Sequence, residues 1–162
     1  MSLLYRTGNV LDCPERPVTF GHVVNDCGRW GAGFSGQLSV RYPLAERKFR
    51  EWAAPQYFGD PPYRPGEVQV LSGVDGKAFN VTVANLCAQR GVGGWDRRVD
   101  YGALRACLTK LARIHAAAPS MGLIVMPRIG CGLGGGEWPT VRSIIETTLV
   151  ACPVIVYSLE VL

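Results

Sequence analysis

The sequence predicts an α/β sandwich, and three observations predict it. Apolar, β-rich runs alternate along the chain with amphipathic helical patterns. Two glycine-rich loops each follow a strand-like run and precede a helix-like one. The length of 162 residues, 48% of them hydrophobic, suits one domain over residues 1–162 with one substantial core.

The elements follow in chain order. Leu3–Arg6 reads as a first strand, and Thr19–Asn25 as a second that opens into the stretch "RWGAGFSG". Helical patterns cover Gly33–Arg41 and run into Leu44–Trp52. The stretch Ala54–Gly66 carries Pro55, Pro61, Pro62 and Pro65 and reads as one long surface loop. Strands are predicted at Glu67–Leu71 and Ala78–Leu86. A helix at Tyr101–Ala117 places Leu104, Cys107, Leu108 and Leu111 on one face, with Asp100 as N-cap and Pro119 ending it. The near-continuous apolar run in Gly122–Met126 predicts a buried strand. After the second glycine loop, Gly130–Gly136, a helix at Glu137–Val150 aligns Val141, Ile144, Ile145 and Leu149. Pro139 sits harmlessly in its first turn, Pro153 lies beyond its end, and Val154–Leu159 is the last strand.

Composition narrows the function. The net charge of +4 is spread thinly, with no basic run of the kind that forms a nucleic-acid arm, so no direct nucleic-acid binding is expected. Only Lys48, Lys77 and Lys110 are lysines, which leaves anion recognition to arginine or backbone amides. The six cysteines form no C-x-x-C pair and only His22 and His115 could join them, so neither a metal site nor a cofactor is expected. With no leader pattern at Met1 and no membrane-length apolar stretch, the expectation is a cytoplasmic protein with reduced thiols and no membrane contact.

Gly31, Gly33 and Gly36 spell G-x-G-x-x-G, yet the motif follows the second strand and lacks an acidic residue at the end of the next one. A dinucleotide fold needs both features. Neither loop holds the Gly-Lys-Ser/Thr of a P-loop. One such loop is as readily a tight turn as a site. Two at the carboxyl edge of the same sheet favour anion binding by backbone amides.

Four stretches together then carry a resemblance: "GNVL", "VVNDCGRWGAGFSGQLSVRYP", "NLCAQ" and "MPRIGCGLGGGEW". Over nearly the whole chain they resemble the macrodomain family of ADP-ribose-binding modules. Within it the chain looks most like the branch of terminal ADP-ribose glycohydrolase and the yeast ADP-ribose-1″-phosphate phosphatase. The resemblance implies a three-layer α/β/α fold with a central mixed sheet of about six strands and ADP-ribose in a cleft over the strand ends. It implies Asn9 at the adenine amino group, with Val10 beside the ring. It implies Trp30, Gly31, Ala32, Gly33 and Phe34 against the pyrophosphate and distal ribose. It implies Ile129, Gly130, Cys131, Gly132, Leu133 and Gly134 closing over the other side.

The chain departs from the glycohydrolase at its chemistry. That enzyme uses a lysine near the end of the central strand and an aspartate after "GCGL". Here those places hold Ala88-Gln89 and Gly134. The expected activity is therefore removal of mono-ADP-ribose from Glu or Asp side chains of proteins by a lysine-independent attack of water. Asn25, Asp26 and Gln89 are the candidate water-orienting, catalytic residues. Asp26 is equally a turn-capping carboxylate and Gln89 a polar strand end. Arg128 could meet ligand or pair with a buried carboxylate, and is read in the latter role. His22, three residues before Asn25, is expected to face the other way, packing or donating to backbone, and Trp30 and Phe34 serve either the ribose or the core. A non-catalytic ADP-ribose reader and an ADP-ribose-1″-phosphate phosphatase are the alternatives.

Overall fold

The computed structural model describes residues 3–31, 33–93 and 98–159. Among these residues six strands form one sheet: β1 (Leu4–Thr7), β2 (Val18–Asn25), β3 (Val68–Ser72), β4 (Val81–Gln89), β5 (Leu123–Met126) and β6 (Val154–Ser158). Their order is β1-β6-β5-β2-β4-β3, parallel throughout except for β3, which runs antiparallel to β4. The helices are α1 (Phe34–Arg41), α2 (Pro43–Ala53), α3 (Tyr101–Ala117) and α4 (Trp138–Thr148). The predicted mixed α/β sheet is thus observed. No helix among the described residues is long and apolar enough to cross a membrane.

Period-two alternation sorts the strand residues into two layers. Ala84, Leu86, Ala88, Ile124, Met126, Val154 and Val156 face α3 and α4, where Leu104, Leu108, Leu111, Val141 and Ile145 meet them. Val81, Val83, Val125, Ile155 and Tyr157 face the opposite way, against Leu38 of α1 and Ala45 of α2. Phe49 and Trp52 extend that second layer under Val24 and Cys87. Each fully buried leucine or phenylalanine contributes about 1.5–3 kcal/mol.

Most boundaries shift by a residue or so from expectation, and three differences have a visible cause. Strand β4 starts at Val81 because the chain first turns through Gly73 and Gly76, both at positive φ. Asp75 holds that turn by accepting from the Lys77 amide at 3.3 Å and from Asn80 Nδ2 at 2.6 Å. The helices α1 and α2 are separate, since Pro43 forces Tyr42 out of the helical region, to φ −132° and ψ 76°. Glu137 caps α4 from outside, so the helix begins at Trp138 and its last turn ends at Thr148. By contrast α3 spans the predicted residues, with Asp100 Oδ1 accepting from the Ala103 amide at 2.9 Å.

Candidate functional site

Because β1, β2, β4, β5 and β6 are parallel, their carboxyl ends share one edge, and the segments that follow them gather there. After β1 and Gly8 comes Asn9, whose Oδ1 accepts from the Leu11 amide at 3.0 Å and so caps a 3-10 turn at Val10–Asp12. Its Nδ2 donates to Gln37 Oε1 of α1 at 3.2 Å. Val10 is buried in the α1-side core.

The turn after β2 is closed by Asn25. Its Oδ1 accepts from the amides of Cys27 (3.2 Å) and Arg29 (3.1 Å), and its Nδ2 donates to Arg29 O at 2.6 Å. The amide group is therefore committed to the turn itself. Asp26 is placed differently. Its backbone amide donates to Gln89 O at 2.9 Å, and its Oδ1 accepts from the Gly91 amide at 2.8 Å. Among the described residues no hydrogen bond reaches Asp26 Oδ2. Gln89 Nε2 donates to Gly91 O at 3.0 Å. Two of the three candidate catalytic residues thus meet in one network at the ends of β2 and β4, and the third shapes the approach to it.

The first glycine loop continues through Trp30, Gly31 and Gly33 into α1; Ala32, also a candidate, lies outside the described residues. Gly33 is the N-cap at φ 65°, and no side chain caps the helix. The leading amides of α1 consequently have no acceptor within the helix. A Cβ built on Gly31 or Gly33 meets nothing within 4 Å. Trp30 Nε1 donates to Ser35 O at 2.8 Å, and its ring packs on Phe49 with centroids 5.4 Å apart. Phe34 is half-buried against the α1-side core. Both aromatics are anchors at the loop's base.

Ile129 is buried in the opposite core, after which the second glycine loop closes on itself. The Gly136 amide donates to Gly130 O at 2.8 Å, and the amides of Arg98 and Val99 donate to Gly134 O at 2.8 and 2.9 Å. Gly132 and Leu133 are exposed at the tip, while Gly134 is buried. A Cβ on Gly134 would lie 2.8 Å from Gly130 O and 3.4 Å from Gln89 Oε1, so this loop abuts the Asp26–Gln89 network. Cys131 is half-buried, and that burial raises its thiol pKa against the opposing influence of Arg128.

Arg128 is the residue expected to pair with a buried carboxylate. No carboxylate pairs with it among the described residues; its guanidinium lies 5.4 Å from the Trp138 ring centroid, and its buried Nε has no partner. The aromatic face supplies part of the stabilisation that a carboxylate would. The three lysines lie elsewhere: Lys48 pairs with Glu51 at 3.0 Å, Lys110 with Glu67 at 2.9 Å, and Lys77 sits in the turn between β3 and β4.

Two residues matter beyond the sequence-derived set. Tyr63, from the proline-rich segment, donates its hydroxyl to Asn25 O at 2.6 Å and accepts from the Gly28 amide at 2.8 Å. No motif marks it. His22 faces the α1 layer as alternation predicts, but it bonds side chains on both flanks rather than backbone: Asn85 Oδ1 at 2.5 Å and Ser35 Oγ at 3.2 Å. Burial depresses its pKa from 6.5 to about 4, so the ring is neutral near pH 7.

No protein-family model matches the chain. A curated relative, an uncharacterised 17.5 kDa protein from the tk–vs intergenic region of Enterobacteria phage T4, is 27% identical over 155 residues, 91% of this chain and 90% of its own. A solved macrodomain protein from Streptomyces coelicolor is 30% identical, covering 97% of this chain and 99% of its own, with a TM-score of 0.78. A protein of unknown function from Bacteroides thetaiotaomicron is also 30% identical, at TM-score 0.81 over 97% of this chain and 98% of its own. The fold extends to Thermosipho africanus DarTG, solved in complex with ADP-ribose, at 19% identity and TM-score 0.68 over 86% of this chain and 37% of that one.

Proposed function

The chain belongs to the macrodomain family, and from that premise we propose that it binds ADP-ribose between its two glycine loops and hydrolyses mono-ADP-ribose from acidic side chains of proteins. One observation carries the catalytic part: Asp26, with one carboxylate oxygen fixed by Gly91 and the other unengaged among the described residues, sits where the ends of β2 and β4 meet the second loop. A carboxylate oriented in this way can hold a water for attack. The uncapped amides at the start of α1 suit a pyrophosphate, since a helix N-terminus favours negative charge and Gly31 and Gly33 leave it room.

In the proposed step the water oxygen bonds to the anomeric carbon of the distal ribose. The bond from that carbon to the acyl oxygen breaks, its electron pair leaves on the side-chain carboxylate, and the water's proton passes to Asp26 or a ligand phosphate oxygen. The products are free ADP-ribose and an unmodified Glu or Asp. Asn25 supports the step by holding the turn that presents Asp26, and Gln89 by fixing Gly91. A non-catalytic reader is the second reading. It is favoured by the commitment of the Asn25 amide to its own turn and by the lack of room for any carboxylate at position 134.

The deciding assay follows release of ADP-ribose by mass spectrometry from a protein modified on Glu or Asp. Wild type releases it, Asp26→Ala retains ADP-ribose affinity with turnover reduced about 100-fold or more, and Gly132→Glu loses both. Gly132 is exposed with nothing near its Cβ position, so the glutamate spares the fold and acts on the ligand. Binding without release in wild type establishes the reader; undiminished affinity in Gly132→Glu removes the second loop from the site.

A further inference from the structure

The first loop has an unusual support. Helix α1 starts without a side-chain cap, and among the described residues few backbone bonds hold the approach to it. Ser35, its second residue, instead receives two side-chain bonds: its carbonyl accepts from Trp30 Nε1 at 2.8 Å and its hydroxyl meets His22 Nδ1 at 3.2 Å. The His22 ring also lies edge-on to Trp30 and to Phe34, each with centroids 5.4 Å away. Three residues of the loop therefore rest on one buried imidazole.

That imidazole is itself oriented from a distance. Gln69 Nε2 donates to Lys48 O at 3.0 Å, and a carbonyl can only accept. Gln69 Oε1 must then accept from Asn85 Nδ2, at 2.9 Å, which turns Asn85 Oδ1 toward His22 Nε2 at 2.5 Å. Hence Nε2 carries the proton, Nδ1 is the acceptor, and the Ser35 hydroxyl donates. One backbone carbonyl of α2 fixes the sense of a chain that crosses β3, β4 and β2 and ends at the glycine loop. Asn85 is fully buried, so each member of this chain is costly to leave unpaired.

We infer that His22 is a positioning residue for ADP-ribose binding, holding Trp30, Phe34 and Ser35 so that the amides at the start of α1 are preorganised for the pyrophosphate. The inference rests on the ADP-ribose reading above. Its distinguishing consequence is that His22 and Ser35 act as one unit, whereas a histidine that merely stabilises the core acts independently of Ser35.

Calorimetric titration of ADP-ribose into wild type, His22→Phe, Ser35→Ala and the double variant tests this. Phenylalanine retains the edge contacts with Trp30 and Phe34 and loses both hydrogen bonds. Each single variant is expected to bind about tenfold more weakly, and the double variant no more weakly than His22→Phe. Ser35→Ala leaves the buried Asn85 pairing untouched and remains informative if His22→Phe fails to fold. Affinity unchanged in folded His22→Phe, or losses that multiply in the double variant, overturns the inference. Wild type that binds nothing overturns the ADP-ribose reading instead. In that event, amide hydrogen exchange at Phe34–Gly36 without ligand still decides, because faster exchange in His22→Phe supports the anchoring role and unchanged exchange removes it.

Discussion

The two glycine loops look alike in sequence and are built on opposite principles. Around the first, a Cβ added at Gly31 or Gly33 meets nothing, and the loop is held from below by Trp30, His22 and Ser35. Around the second, a Cβ at Gly130 would come within 2.9 Å of Val99, and one at Gly134 or Gly136 within 2.8 or 2.7 Å of Gly130 O. Glycine in the first loop leaves room for something external, and in the second it lets the chain pack on itself. Gly132, at the exposed tip, has the openness of the first loop. The contrast implies that the first loop breaks when partners are removed and the second when atoms are added.

The largest effect is expected from Gly134→Asp, which restores the carboxylate that the glycohydrolase branch carries after "GCGL". The contact with Gly130 O is with backbone, so relief requires the loop to move. Movement breaks the two bonds that Gly134 O accepts from Arg98 and Val99. A loss of about 3–5 kcal/mol in urea-denaturation stability is expected. A variant as stable as wild type would show the second loop to be as accommodating as the first.

A smaller effect sits under the first loop and is read through pH. His22 is neutral in the folded protein, with its pKa depressed by burial to about 4, while in the unfolded chain it titrates near 6.5. Between those values unfolding takes up a proton, so stability falls as pH drops from about 6.5 toward 4, by up to about 3 kcal/mol. Glu15, Asp75, Asp100 and Glu146 are held below their ordinary pKa values, so their losses begin at lower pH. Subtracting the pH profile of Ser35→Ala, which keeps His22, from that of His22→Phe isolates the slope. Identical profiles would show that His22 does not carry this part of the pH dependence.

What the sequence reveals follows the same division. Strand interiors are legible because alternation is local: Ala84, Leu86 and Ala88 announce one face, and Val81 and Val83 the other. The Asp100 cap is an equally local signal; the break at Tyr42 is local too, set by Pro43, although the helical patterns on its two sides read as one run. The candidate set is partly legible, since Asp26 and Gln89 are marked by standing at strand ends and do meet. Asn25 shares that mark, yet its amide serves the turn, because the same Asx chemistry that orients a water also closes a backbone loop. Arg128 shows the limit of pairing by charge, as Trp138, ten positions on in the chain, offers it a ring face and no carboxylate among the described residues pairs with it. Tyr63 and the Lys48–Gln69–Asn85 chain have no signature, because they depend on which segments the fold lays side by side.

Tyr63 gives the finest test of the comparison. Its ring packs against Trp52 and Phe49, with centroids 5.0 and 5.9 Å away, and its hydroxyl bridges Asn25 O and the Gly28 amide. Burial holds its phenol well above the usual tyrosine range, so it bonds as a neutral group. Tyr63→Phe keeps the ring packing and deletes only the bridge, so a stability loss of about 1–2 kcal/mol is expected. The turn from Asn25 to Arg29 then loses its tie to the proline-rich segment. Asp26, which that turn carries, becomes less well placed, while the amides of α1 remain held by Ser35 and Trp30. Turnover should therefore fall more than ADP-ribose affinity, opposite to the pattern expected of Ser35→Ala. If both variants lower affinity alone, the turn and the glycine loop are one binding element, and the separation of presenting Asp26 from cradling the pyrophosphate is lost.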